Sequence, residues 1–215
     1  MTFSGVEFRT KKPFNPMLGE TYEIIDGDLK YFSEQVSHHP PISACYAESS
    51  KYIFYGDFNI KSSLKITGCL EVRHVSAFHI KLKETGDHFV IEKPNNVLRN
   101  IITGKMYVWT KGDLKAKNLK NGDELTLNYE DEGWLKTMSL TKSNHKVKGD
   151  ICNKEGEIQY KLEGTWDKDL FAYPCFESEV KEIKIVKRLP EIENRDMQYM
   201  MNPISINMNY LPINM

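Results

Sequence analysis

From about residue 22 to residue 166 the sequence predicts a mainly β chain, built as one large antiparallel curved sheet or barrel. Short runs rich in Tyr, Phe, Ile, Val and Thr recur between Gly, Asn or Asp turns, which is the signature of antiparallel strands. Polar and apolar residues alternate within several runs, as in Ala77-Phe78-His79-Ile80-Lys81-Leu82-Lys83, so one face meets a core and the other meets water. Helical periodicity is nearly absent across the same span, and strands this numerous and evenly spaced favour a single curved sheet or barrel.

In chain order the first runs are Tyr22 to Ile25 and Tyr31 to Val36, hinged on Asp26-Gly27-Asp28. Ile42 to Ala47, Tyr52 to Ile60 and Leu70 to Lys83 follow, then His88 to Glu92, Lys105 to Thr110 and Glu124 to Tyr129. Thr137 to Thr141, Lys146 to Cys152 and Ile158 to Trp166 complete the series. Glu177 to Arg188 admits two readings, because Val180, Ile183 and Val186 sit three apart while Ile183-Lys184-Ile185-Val186 also suits a strand. Residues 190–215 are rich in Asn, Met and Pro and read as a loosely structured tail, giving a small helical or irregular C-terminal part.

At 215 residues the chain suits one domain, 1–215, with a core that needs neither disulfide nor metal. Lys and Arg number 29 against 30 Asp and Glu, so no whole-chain field attracts nucleic acid, and any anion site must be local. Cys45, Cys69, Cys152 and Cys175 are scattered without a CxxC pair, which fits a reducing compartment. With no apolar run of about 18 residues, no N-x-S/T sequon and no prenylation-type end, the expectation is a cytoplasmic protein that meets membranes peripherally.

Two dense segments carry chemistry. Lys12-Pro13-Phe14-Asn15-Pro16-Met17-Leu18-Gly19-Glu20-Thr21-Tyr22-Glu23 is a turn-rich entry to a strand, in which two prolines fix φ and Gly19 allows a tight bend. It holds near each other Lys12, with three donors and a charge, and Asn15, with two amide donors, a set suited to phosphate or inositol oxygens. In Glu34-Gln35-Val36-Ser37-His38-His39-Pro40-Pro41-Ile42-Ser43-Ala44, adjacent histidines on a regular strand would face opposite ways. Pro40 and Pro41 are expected to end the ladder and bias His39 toward extended geometry, so that both imidazoles address one phosphate from a strand end. A phosphate monoester carries roughly −1.5 to −2 charges near neutral pH. Such an anion favours charged imidazole, so headgroup binding should weaken as pH rises from about 6 to 8.

These segments closely resemble the oxysterol-binding protein related family, whose fingerprint is Glu-Gln-Val-Ser-His-His-Pro-Pro. Asn100-Ile101-Ile102, Gly104, Gly112, Asn118, Gly133-Trp134, Val147, Gly149, Gly156, Gly164 and Trp166 agree with it, so the resemblance runs from about Arg9 to Trp166 and more faintly to Leu211. It implies an incomplete antiparallel β-barrel around a lipid cavity, closed by a lid and carrying sterol or phospholipid. It also implies exchange of that cargo for phosphatidylinositol 4-phosphate between membranes, with Lys12, Asn15, His38 and His39 on the headgroup.

Family domains are longer, whereas only eleven residues precede Lys12 here, and no match follows Leu211 for the C-terminal helices that supply further headgroup contacts. A curved sheet short of its opening strands would leave an unpaired edge and a partly open apolar face, a route to self-association or to a partner. The alternatives to lipid transfer are thus a headgroup-binding module that moves no lipid and a scaffold that recruits protein.

Other chemistries have weaker support. A metal site lacks third and fourth ligands near the His pair, and His74 and His79, five apart within the run Leu70 to Lys83 read as one strand, would face opposite ways. Ser37 or Cys45 with a histidine and Glu34 lacks a nucleophile elbow, and no Gly-rich phosphate loop occurs, so neither enzymatic activity nor a cofactor is expected. Lys111, Lys115, Lys117 and Lys120 suit either anionic headgroups or a solvated hairpin. Trp109, Trp134 and Trp166 read as structural aromatics.

Overall fold

The computed structural model describes residues 14–66, 68–102, 107–129, 145–166, 169–176 and 181–186. Among these residues fourteen strands form one sheet, every adjacent pair is antiparallel, and no helix occurs. The strands are β1 (Thr21–Asp26), β2 (Leu29–His38), β3 (Pro41–Glu48), β4 (Tyr52–Leu64), β5 (Leu70–His74), β6 (Phe78–Leu82) and β7 (His88–Glu92). They continue as β8 (Asn95–Arg99), β9 (Tyr107–Asn118), β10 (Glu124–Tyr129), β11 (Lys146–Cys152), β12 (Ile158–Thr165), β13 (Leu170–Pro174) and β14 (Ile183–Val186).

Neighbours in sequence are neighbours in the sheet except between β4 and β9, where the sheet forks. The first half of β4, Tyr52–Gly56, pairs with β6, and its last residues, Ile60–Leu64, pair with β5. Both branches rejoin on β9: β8 pairs with Tyr107–Lys111 and β7 with Lys115–Asn118. Thus β4 and β9 are longer than their neighbours because each carries two partners along one edge. Leu70 to Lys83, expected as one run, is broken between β5 and β6 because its two halves serve different branches.

Register makes the two faces explicit. Following partners across the sheet, Tyr31, Ala47, Phe54, Ile80 and Phe89 share one face, and Leu127, Val147, Leu162 and Ala172 continue its apolar character beyond β9. Lys30, Glu48, Lys81, His88, Lys115 and Thr126 fall on the other. Alternation with period 2 therefore survives across almost the whole sheet, as the sequence predicts. The core gathers at one end of the apolar face, around Leu127, Tyr129, Val147, Leu162 and Ala172, with Leu114, Ile151, Tyr160 and Trp166 packed against it.

Two strands escape sequence reading. β8 opens on Asn95-Asn96 and offers only Val97 as a buried apolar residue, while β13 ends on Pro174, so neither shows a strong strand pattern. Residues 183–186 resolve an ambiguity in favour of a strand, β14. The run Thr137 to Thr141, Trp134 and the tail 190–215 lie outside the described residues.

Candidate functional site

The hairpin joining β2 to β3 is only two residues long, His39 and Pro40, and the bond between them is cis. Contrary to expectation, Pro41 does not end the ladder: it stands opposite His38 as the first residue of β3. The ladder departs from regularity earlier, where Gln35 pairs with Ser43 and Ser37 pairs with Ile42, leaving Val36 as an extra, bulged residue. A bulge re-aims the side chains that follow it, which is why the strict opposite-face rule does not apply to this end of β2.

His38 and His39 are both exposed, and their rings meet edge to face with centroids 4.5 Å apart. Two imidazoles this close, each able to present a ring N–H, suit a single anion that accepts from both. Gln35 supports the bulge from beneath. It is 2% exposed, its Nε2 donates to the Ser37 carbonyl at 2.8 Å, and its Oε1 accepts from the Ser43 hydroxyl. A buried polar side chain with both ends satisfied is rigid, and here it ties the bulge to β3.

Asn15 lies in the segment that leads into β1, and that segment is tied to β2 by its backbone. The backbone of Gly19, in a left-handed conformation at φ 77°, donates to the Gln35 carbonyl at 2.9 Å, and Gln35 N–H donates to the Glu20 carbonyl at 3.0 Å. Just upstream, a turn closes with Met17 N–H on Glu20 Oε2 at 2.7 Å and Glu20 N–H on the Met17 carbonyl at 3.0 Å. Gly19 and Glu20 thus carry the pairing of this segment with β2 as far as Gln35, and Asn15, exposed, lies before the turn. Lys12 lies outside the described residues.

Elsewhere the structure separates residues that spacing had placed on one element. His74 ends β5 and His79 lies on β6, so they do not share one strand, although register still sets them on opposite faces, and each has a different neighbour. His79 Nδ1 faces His88 Nε2 at 3.0 Å across β6 and β7, and His74 Nε2 lies 3.2 Å from Asn96 Nδ2. No group of three or more metal-ligating side chains forms among the described residues. On β9, Lys117 is tied to Glu124 at 2.7 Å and Lys111 to Glu71 at 3.8 Å, and Lys120, just past the strand, donates to the Thr85 carbonyl. Trp109 is buried, and Trp166 packs on the core.

A family model described as oxysterol-binding protein matches residues 2–214. The chain belongs to the oxysterol-binding protein family. It is 37% identical over 177 residues to oxysterol-binding protein homolog 1 of Saccharomyces cerevisiae, covering 79% of this chain and 14% of that protein. Against oxysterol-binding protein-related protein 3 of Homo sapiens the identity is 36% over 163 residues, 74% of this chain and 18% of that one. Among solved structures, the Osh1 ORD domain in complex with cholesterol superposes with a TM-score of 0.71 at 28% identity, over 86% of this chain and 44% of that domain. The Osh3 ORD in complex with PI(4)P from Saccharomyces cerevisiae shares the fold with a TM-score of 0.69 at 24% identity, over 83% of this chain and 46% of that one. The chain thus spans less than half of the solved domains it matches, and under a fifth of these two curated family members. No described helix is long and apolar enough to cross a membrane.

Proposed function

We propose that this oxysterol-binding family chain holds the headgroup of phosphatidylinositol 4-phosphate on Asn15, His38 and His39, joined by Lys12. The apolar face of the sheet takes a sterol or phospholipid tail, and the chain works peripherally at cytoplasmic membrane surfaces as a lipid carrier. The observation that carries this reading is the pair of exposed imidazoles at 4.5 Å on a two-residue turn, anchored by the buried Gln35. Solved relatives with sterol or PI(4)P bound support it by analogy of fold.

A second reading, a headgroup-binding module that moves no lipid, is favoured by the exposure of Ile24 and Phe58 on the face that would enclose cargo. Vesicles of phosphatidylcholine containing phosphatidylinositol 4-phosphate separate the two. Extraction of the labelled lipid into solution supports the carrier, and surface binding without extraction supports the module. The double variant His38→Ala with His39→Ala should weaken vesicle binding by about tenfold or more, the scale of lost charge-assisted hydrogen bonds. Full binding by a folded double variant would remove the assignment.

A further inference from the structure

Leu64, Ile66 and Ile102 are among the most exposed aliphatic side chains of the described residues, at 71%, 108% and 79%, and the headgroup site uses none of them. Leu64 and Ile66 belong to the turn from β4 to β5, which closes with Lys65 N–H on the Cys69 carbonyl at 2.8 Å and Gly68 N–H on the Lys65 carbonyl at 3.0 Å. Ile101 and Ile102, both exposed, follow the end of β8. The two segments meet, since a Cβ on Gly68 would lie 3.2 Å from Ile102 Cδ1, and together they form one apolar tip.

Neighbouring strands alternate in direction, so β2, β4 and β8 run the same way and end on the same side of the sheet. The β2–β3 turn with His38 and His39 and the apolar tip therefore stand on one side. Beyond Asn59, its last residue paired with β3, β4 continues to Leu64, about 17 Å at the rise of a strand. By alternation Phe58, Ile60 and Leu64 share the apolar face, and all three are exposed, so an uncovered row leads from that face to the tip.

The other face of this branch is basic. Lys61 and Arg73, both exposed, stand directly opposite each other, a like-charge pairing that costs a sheet stability. Lys65 and Lys111 share one carboxylate, Glu71, at 3.3 and 3.8 Å. Glu71 is the only acidic residue within 59–75 and 95–102, so four cations face one anion in a chain whose net charge is −1. The surplus is local, and it flanks the exposed aliphatics.

We propose that this tip docks on an anionic bilayer. Leu64, Ile66 and Ile102 enter the boundary between headgroups and acyl chains, and Lys61, Lys65 and Arg73 lie behind them against lipid phosphates. A protein partner would have to offer a cleft matched to a convex tip, whereas a bilayer accepts any convex apolar shape, and the cations select for anionic lipid. The inference rests on the peripheral role proposed above and not on the histidine pair, which it turns toward the same membrane.

Phosphatidylcholine vesicles with and without phosphatidylserine, all free of phosphoinositide, test the tip alone. The whole chain should sediment with the phosphatidylserine vesicles and leave them in high salt. Ile66→Asp with Ile102→Asp should weaken that binding about tenfold or more, the scale of losing two buried aliphatic side chains. Lys61→Gln with Arg73→Gln should weaken it about twentyfold, near fivefold for each cation, and shrink the preference for phosphatidylserine. All four positions are exposed, so each variant should keep the wild-type unfolding midpoint in urea. In vesicles with brominated acyl chains, Ile66→Trp should be quenched beyond the wild-type level. Wild type that ignores phosphatidylserine vesicles overturns the proposal with no variant needed, as does an Ile66→Trp signal that bound brominated lipid leaves untouched. Self-association abolished by the double aspartate variant, without vesicle binding, would give the tip to a second copy instead. Binding confined to phosphatidylinositol 4-phosphate vesicles and unaltered by the tip variants would overturn this inference while the headgroup reading stands.

Discussion

The two ends of this sheet carry the same alternating pattern and put it to different uses. From β9 to β13 the apolar face closes into a core, where Val147 is 1% exposed and Leu162 2% exposed. At the β1 end the corresponding face is only partly covered: Gln35, Cys45 and Ala47 are buried on β2 and β3, but Ile24 is 39% exposed, Phe58 41% exposed, and every residue of β1 is exposed. Part of the cause lies in small residues. At Gly149 a Cβ would fall 2.0 Å from the Thr126 carbonyl oxygen, and at Gly164 one would fall 2.2 Å from the Asp169 carbonyl oxygen. Strands β10 to β13 approach closely because glycine permits it, and the large side chains beside those glycines pack over them. Among the described residues β1 pairs with β2 alone. Alternation therefore encodes which face is apolar, and other features decide whether that face is covered.

The largest test of this contrast lies at the closed end. Leu162→Ala should cost about 2–5 kcal/mol, measured by urea unfolding, because it removes buried methyls and leaves a cavity among fixed neighbours. A loss below about 1 kcal/mol would mean that this end is as open as the other. Next in size is the titration of Tyr129, whose phenol burial pushes up to about 12 from an ordinary 10.0. The folded state favours the neutral form, so the stabilisation is complete below about pH 10 and disappears as pH rises through about 12. That difference corresponds to about 3 kcal/mol, and Tyr129→Phe should flatten stability across that window. Smaller still, Gln35→Leu should cost about 1–3 kcal/mol, since it strands the Ser43 hydroxyl and the Ser37 carbonyl inside the sheet. The same variant should loosen the bulge and weaken phosphoinositide binding, read on vesicles, even at temperatures where the chain remains folded.

How much of this was legible in the sequence follows from what kind of information each feature uses. Strands such as β2, β4, β6 and β12 were readable because period-2 alternation is local. The fork was not, since nothing within Leu70 to Lys83 says that its halves pair with different regions of β4. The histidine pair was found by its motif, but the reason for its convergence was misplaced: the prolines were credited with ending the ladder, while the bulge at Val36 goes unmarked by any Gly or Pro. Gln35 gave a usable hint, being a polar residue in register with Tyr31 and Ser33 on the apolar face. Lys93 continues the apolar row of Phe89 and Ile91 in the same way, but its aromatic partners come from β4 and β6 and only the fold reveals them.

The smallest expected effect is the one that most directly probes the open end. Ile24→Ser removes an apolar side chain from β1 that is already in contact with water, so stability of the lipid-free chain should change by no more than about 0.5 kcal/mol. Its partner opposite, Tyr31, and the neighbouring Tyr22 ring at 6.3 Å from Tyr31 remain to cover the strand below. If the face instead receives a lipid tail, the same substitution should reduce lipid uptake while the unfolding midpoint stays fixed, because the burial is completed by the ligand and not by the protein. A loss of 1.5 kcal/mol or more in the lipid-free chain, on the scale of a fully buried side chain, would show that something already covers β1. A dependence of that loss on protein concentration would then identify the cover as a second copy, meeting the sheet at its edge.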